Sequence, residues 1–293
     1  MNAWQLLWGS NIGLWMLAIS LCVAISCALP GSFLVMRRMS MTGDAISHSV
    51  LPGLVIGFIA SGDASSPWLM IGAALSAWLA VYCVEWLSAQ MRVKEDAATG
   101  MMFTAFFALG LLLMRKYASR VDLDPDCVLM GSLEALVATA GEGQVPDFFW
   151  FQISIFVAVV VAMLMGYRRW VATSFDAELA RLCGLKVALW RQSLLALVSM
   201  VTVSSFQAVG AVLVVALLIV PGATGVLLCR RVPGVLLTAC LHGMISCVSG
   251  IWLAFAYDAN AAASIVLTGA FWFGMAWLIV QFRKVRERVT ARN

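Results

Sequence analysis

Asp44 and His48 put a carboxylate and an imidazole four residues apart in an otherwise apolar run, Gly43-Asp44-Ala45-Ile46-Ser47-His48-Ser49-Val50-Leu51-Pro52-Gly53. On a helix the two positions share one face. Carboxylate oxygen with imidazole nitrogen is a donor set that suits manganese, iron and zinc ions. The small Ser47 and Ser49 leave room beside the pair. Pro52 and Gly53 loosen the helix just beyond it, an interruption of the kind that lines cavities in membrane transporters. A charge inside a membrane costs at least ~2.5 kcal/mol on insertion scales, so Asp44 needs either a partner or a task. A plainer arrangement satisfies the same spacing: the side chains pair with each other, or cap the helix near its end.

The elements that position these residues are transmembrane helices. Hydrophobic residues make up 62% of the 293 positions and charged residues 12%, against roughly 45–50% and 25% in a soluble domain. A soluble core cannot absorb that much apolar surface, so the fold class is all-α and polytopic. The first thirty residues have neither a basic start nor a small-residue cleavage site, and the first apolar run is expected to stay as a helix rather than be removed as a signal peptide. A hydrocarbon core of ~30 Å takes ~20 residues of helix. Eight or nine spans follow, near 12–36, 43–60, 67–90, 97–114, 147–167, 187–205, 208–228, 234–257 and 261–281. Between 187 and 228 only Ser204, Ser205, Gln207 and Gly210 interrupt the apolar run. That stretch is either two helices with a tight turn or one helix plus a re-entrant piece.

Basic residues set the orientation. With nine spans and the N-terminus outside, the cytoplasmic groups are Arg37 and Arg38; Arg92 and Lys94; Arg168, Arg169, Arg181, Lys186 and Arg191; Arg230 and Arg231; and Arg283, Lys284, Arg286, Arg288 and Arg292. Those are sixteen of the nineteen basic residues, and Arg115, Lys116 and Arg120 fall in one external loop. The C-terminus is expected to be cytoplasmic. The net charge of +4 is read as a topology signal, not as a nucleic-acid footprint. Loops are short except 115–146 and 168–186, which leaves one transmembrane domain over 1–293 and no soluble catalytic unit. No G-x-x-x-x-G-K-[ST] phosphate loop occurs.

Four segments carry a family resemblance, in sequence order. Met41 to Gly53 resembles the signature of the manganese/zinc/iron permeases of ABC importers, the ABC-3 permeases. Val128-Leu129-Met130-Gly131-Ser132-Leu133 resembles that family's external segment, and Asp176-Ala177-Glu178-Leu179-Ala180-Arg181-Leu182-Cys183-Gly184 its cytoplasmic loop. Val209 to Thr224 is similar to its late helix ending in Pro, here Pro221. Met130 stands where an aromatic is common and Gly222 where Ala is common.

The resemblance implies an ABC importer permease fold and alternating access for a divalent transition-metal ion: manganese, zinc or iron. It assigns Asp44 and His48 to transient contact with the ion in the translocation path. It makes Asp176, Glu178, Arg181 and Gly184 the coupling loop that docks on a cytoplasmic ATPase subunit. The chain itself is then no enzyme and holds no resident cofactor; ATP is hydrolysed on the partner. Further implied partners are a second permease subunit, identical or paralogous, an external or periplasmic metal-binding protein, and lipid of a bacterial cytoplasmic (inner) membrane. Nucleic acid is not among them. The alternatives are an ion-coupled secondary metal transporter, which would normally show internal repeats, and an ABC permease for metal chelates. A membrane-embedded enzyme ranks last, because H-E-x-x-H and G-x-S-x-G are both missing.

The remaining polar residues read as structural. Asp122, Asp124 and Asp126 alternate in the external loop beside Arg115, Lys116 and Arg120, without the Gly and Glu of a calcium loop. His242 matches no zinc spacing despite Cys240 and Cys247. Glu85 can reach Arg92 or water by snorkelling. Trp4, Trp8, Trp68, Trp150 and Trp170 suit an aromatic belt. The eight cysteines contain no C-x-x-C pair and are expected as small buried hydrophobes. The regions Gly72 to Ser76 and Gly210 to Val214 are small-residue faces for close helix packing.

Overall fold

In lipid a chain must satisfy its backbone polar groups internally, and uninterrupted apolar runs do so as helices. The structure, a computed structural model, describes residues 11–39, 41–62, 66–91, 93–117, 131–138 and 145–290. Among them are eleven helices and no strand: α1 Asn11–Met36, α2 Thr42–Ser49, α3 Leu51–Ser61, α4 Pro67–Met91, α5 Glu95–Tyr117, α6 Leu133–Ala138, α7 Asp147–Phe175, α8 Ala177–Leu182, α9 Val187–Leu228, α10 Val232–Tyr257 and α11 Ala261–Thr290. Eight candidate spans are long and apolar enough to cross a membrane, with α2 and α3 together forming one of them, Thr42–Ser61.

The 42 residues of α9 would measure about 63 Å if unbroken, twice the hydrocarbon core. Gly210 interrupts them, with φ 75° and ψ 163°, a combination open in practice only to glycine. Residues 187–209 and 211–228 are therefore separate helical pieces of about 34 and 27 Å. This is the interruption expected among Ser204, Ser205, Gln207 and Gly210.

The chain divides into two compact units. One is built from the described residues of Met1–Met36, Ser132–Phe156 and Ala216–Asn293. Its centre is α1, whose Ile19, Val23, Ala24, Cys27 and Ala28 are wholly buried. Small residues let the backbones meet, as they must where lipid gives no hydrophobic push. A Cβ on Gly31 would lie 2.2 Å from Leu218 O, and one on Gly250 would lie 2.4 Å from Ile265 Cα. Thr268 Oγ1 donates to Ser246 O at 3.0 Å, tying α11 to α10. The Glu134 carboxylate of α6 accepts from Ala261 N at 2.8 Å and so caps the start of α11.

The other unit comprises the described residues of Arg37–Gly131 and Val157–Val215. Here α3 and α4 cross at glycines: a Cβ on Gly53 would stand 2.1 Å from Gly72 O and 2.6 Å from Ser76 Cβ. The small-residue face expected from Gly72 to Ser76 is thus a contact surface. Gly131 closes against the α9 break, 2.2 Å from Phe206 O and 2.7 Å from Gly210 N for an added Cβ. Glu85 on α4 pairs with Arg191 and accepts from Gln192, both on α9. It joins two helices, whereas the sequence pointed to Arg92 or water; Arg92 lies outside the described residues.

Trp68 and Trp150 are exposed near helix starts, as belt residues should be. Trp170 is not one of them. It is buried, with Nε1 donating to Trp190 O and Ser193 Oγ at 3.1 Å each. Helix α7 continues past the expected end at 167 to Phe175, which carries Trp170 inward against α9. Trp4 and Trp8 lie outside the described residues.

Candidate metal-path site

The site begins with a short helix that has two unlike faces. In α2, Thr42, Gly43, Ala45, Ile46, Ser47 and Ser49 are buried, and Asp44 and His48 lie on the remaining face with side chains 61% and 39% exposed. The hydroxyls of Ser47 and Ser49 do not reach toward the pair. They donate to Gly43 O at 3.1 Å and Ala45 O at 2.6 Å, one turn back on their own helix.

Pro52 has no N–H, so the carbonyl one turn before it lacks its helical partner and the α2–α3 junction is weakened. The neighbouring carbonyl, Ser49 O, accepts from Ser76 Oγ of α4 at 2.7 Å. A side chain from the next span thus anchors the junction one residue after His48.

His48 Nε2 and Asp44 Oδ1 are 3.8 Å apart. The pairing allowed by the sequence is formed, and no side-chain hydrogen bond caps the start of α2. The imidazole is held from α5 by two rings, Phe103 at 4.9 Å and Phe107 at 5.6 Å, both edge-to-face. Such pairs are worth about 0.5–1.5 kcal/mol each beyond area burial. The rings leave Nε2 turned to the carboxylate. An ion about 2.1 Å from each donor atom would see them at about 130°, and drawing them ~0.4 Å closer gives a near-tetrahedral angle. Two donors fill only part of a metal ion's coordination shell. No group of three or more His, Cys, Asp or Glu side chains that could hold a metal occurs among the described residues.

The second predicted site is built by capping. Asp176 Oδ1 accepts from Leu179 N at 2.8 Å at the start of α8. At its end Leu185 N bonds Ala180 O at 3.0 Å and Gly184 N bonds Arg181 O at 2.9 Å. With Gly184 at φ 80°, this is a Schellman closure, which requires a left-handed residue. One predicted residue therefore starts the six-residue helix and another stops it. Glu178 and Arg181 are exposed, as are Phe175, Leu179 and Leu182 at 62, 56 and 85%. Ala180 alone faces inward. The base of the loop is fixed by Arg37, whose Nε donates to Ser174 Oγ at 2.9 Å and Nη2 to Thr173 Oγ1 at 3.3 Å.

Residues 11–280 match the family described as the ABC 3 transport family. The chain belongs to that family. Over 261 residues, 89% of its own length and 85% of the relative's, this ABC 3 chain is 36% identical to the manganese transport system membrane protein MntC of Halalkalibacterium halodurans. Over 267 residues, 89% of its own length and 72% of the relative's, it is 34% identical to the zinc transport system membrane protein TroD of Treponema pallidum. Among solved structures, PsaBC from Streptococcus pneumoniae in complex with Fab aligns at a TM-score of 0.77 and 28% identity, covering 94% of each chain.

Several contacts of the ABC 3 chain's site escaped the sequence reading. Phe103 and Phe107 carry the right signal, two aromatics four apart on one span, but nothing in the sequence says which face meets α2. Ser76 reads from the sequence as part of a small-residue packing face, with nothing to mark it as a donor to Ser49 O. Arg37 reads from the sequence only as a topology charge. His242 is buried, and among the described residues it lies in no metal cluster with Cys240 or Cys247. Asp122, Asp124 and Asp126 and the segment 128–130 lie outside the described residues.

Proposed function

We propose that the chain is the transmembrane permease subunit of an ATP-binding cassette importer that moves a divalent transition-metal ion, manganese, zinc or iron, across a bacterial cytoplasmic membrane. The observation that carries this reading is the accessible Asp44–His48 pair, 3.8 Å apart in a span of a chain that belongs to a transport family. The names of its relatives, manganese in one case and zinc in another, support the substrate class. One carboxylate and one imidazole serve both metals, so the ligand types do not choose between them.

The ion, delivered by an external binding protein, reaches the face of α2 that carries the pair. A second permease subunit, identical or paralogous, stands across the path, and a two-fold arrangement brings a matching pair to the same ion. Two donors from each side hold it long enough to exclude unsuitable ions and weakly enough to release it. Phe103 and Phe107 hold the imidazole in place, and its Nε2 is the atom that faces Asp44. On the cytoplasmic side α8 presents Glu178, Arg181 and an exposed apolar edge to the ATPase, where ATP is hydrolysed. The 1–293 chain works as one permease domain with a cytoplasmic C-terminus.

The test is ATP-dependent uptake in cells or vesicles carrying the chain with its ATPase and binding protein. Wild type is compared with Asp44→Ala and His48→Ala at equal membrane expression, with assembly checked by co-purification. Loss of manganese, zinc or iron accumulation in both variants supports the ion path and names the substrate. Unchanged uptake removes the pair from it.

A further inference from the structure

Three cavities in the unit formed by α1, α10 and α11 share lining residues and change character from one end to the other. The first, about 640 Å³, lies between the end of α9 and the stretch of α11 from Phe273 to Lys284, and includes Arg230, Arg283 and Lys284 in its lining. No acidic residue lines it, and among the described residues none of these three cations is ion-paired. The second, about 250 Å³, meets the first at Leu228 and is walled by Leu241, Trp272, Met275 and Ile279, with His242 on its side. The third, about 410 Å³, meets the second at Ile245 and continues along α10 to Val248 and Trp252. From Thr238 to Trp252 the helix rises about 21 Å, more than half of a ~30 Å hydrocarbon core.

A free metabolite suits no part of this run except the basic end, and an apolar molecule suits all but that end. The combination is that of an amphiphile with an anionic head. We infer that this groove binds an anionic phospholipid, with its phosphate on Arg230, Arg283 and Lys284 and an acyl chain laid along α10 and α11. Arginine forks match phosphate oxygens in pairs and lysine adds a point charge. Basic pockets at the cytoplasmic ends of transmembrane helices recruit such headgroups. The bare N-terminal turn of α10, which no side chain caps, begins two residues after Arg230 and favours the same charge. The inference does not depend on the Asp44–His48 site, which lies in the other unit.

The experiment is native mass spectrometry of the full-length chain in nanodiscs of phosphatidylglycerol or phosphatidylcholine, with thermal stability measured in parallel. Wild type should keep phosphatidylglycerol and not phosphatidylcholine through detergent exchange. Arg230→Gln/Arg283→Gln/Lys284→Gln should bind it about a hundredfold more weakly, about fivefold for each charge removed near a membrane surface. Arg115→Gln/Lys116→Gln/Arg168→Gln removes as many charges elsewhere and should keep the lipid. Ala223→Phe fills the first cavity without touching its charges and should lose the lipid as well, which guards against a triple variant that fails to fold. Equal retention of the two lipids by wild type, or undiminished retention by either cavity variant, overturns the inference. So does equal stabilisation by inorganic phosphate in lipid-free detergent, which would leave a simple anion site.

Discussion

Replacing Gly53 with alanine should damage this protein far more than one added methyl suggests. The new Cβ would stand 2.1 Å from Gly72 O and 2.6 Å from Ser76 Cβ, where ordinary contact begins at 3.4 Å. One obstacle is backbone, so α3 and α4 must part by about 1.3 Å rather than adjust a rotamer. Overpacking of this kind costs about 1–3 kcal/mol. The separation also pulls Ser76 Oγ from Ser49 O, now 2.7 Å away, and an interhelical hydrogen bond in a membrane averages about 0.6 kcal/mol. The expected loss is therefore about 2–4 kcal/mol. Gly100→Ala is the control, because nothing lies within 4 Å of a Cβ there and alanine favours a helix by about 1 kcal/mol. Unfolding in mixed micelles titrated with dodecyl sulfate measures both. Uptake should fall with Gly53→Ala even at temperatures where the variant remains folded, because α3 continues directly into the helix carrying Asp44 and His48. A Gly53→Ala protein within about 0.5 kcal/mol of wild type would refute the reasoning.

Phe103→Ala removes one of two rings holding His48 and should weaken apparent ion affinity about fivefold, corresponding to about 1 kcal/mol; the concentration dependence of uptake reads it, with Phe103→Leu intermediate. Asp176→Ala and Gly184→Ala should each cost the α8 turn about 1 kcal/mol, through the lost cap and the left-handed backbone respectively. Transport per ATP hydrolysed should drop in both at normal membrane levels. Arg191→Ala should destabilise by about 2 kcal/mol, less than for a fully buried pair because the arginine side chain is 41% exposed. Adding Glu85→Gln should restore more than half of that loss, since the damage lies in the uncompensated carboxylate. Equal stability of the single and double variants in the same unfolding assay would count against the pair.

The spans could be read from the sequence because length and apolarity are one-dimensional properties, and lipid enforces both. The break at Gly210 was legible for a related reason: glycine among serines and glutamine is where a helix can yield. Asp44 and His48 stood out because ionisable groups are rare in such spans and because helical spacing alone places them together. What could not be read was which faces meet. A helix apolar on all sides gives no stripe to orient it, so Phe103, Phe107 and Ser76 acquired their roles only from contacts between helices. Trp170 shows the same limit. Its position near an expected span end suggested an interfacial anchor, yet α7 runs on and the indole turns inward to Trp190 and Ser193. Glu85 likewise found its cation 106 positions along the chain at Arg191, beyond the reach of any local pattern.

Arg37 has a mechanical consequence. It grips Ser174 and Thr173, two and three residues before the cap of α8, and it stands seven residues before Asp44. Its neighbour Arg38 adopts the left-handed φ of 63°. The end of α7 that leads into α8 is thus held by a guanidinium only seven residues before Asp44. The loop and the span that carries Asp44 and His48 are therefore tied through one side chain, so that Arg37→Ala would free each from the other without touching either.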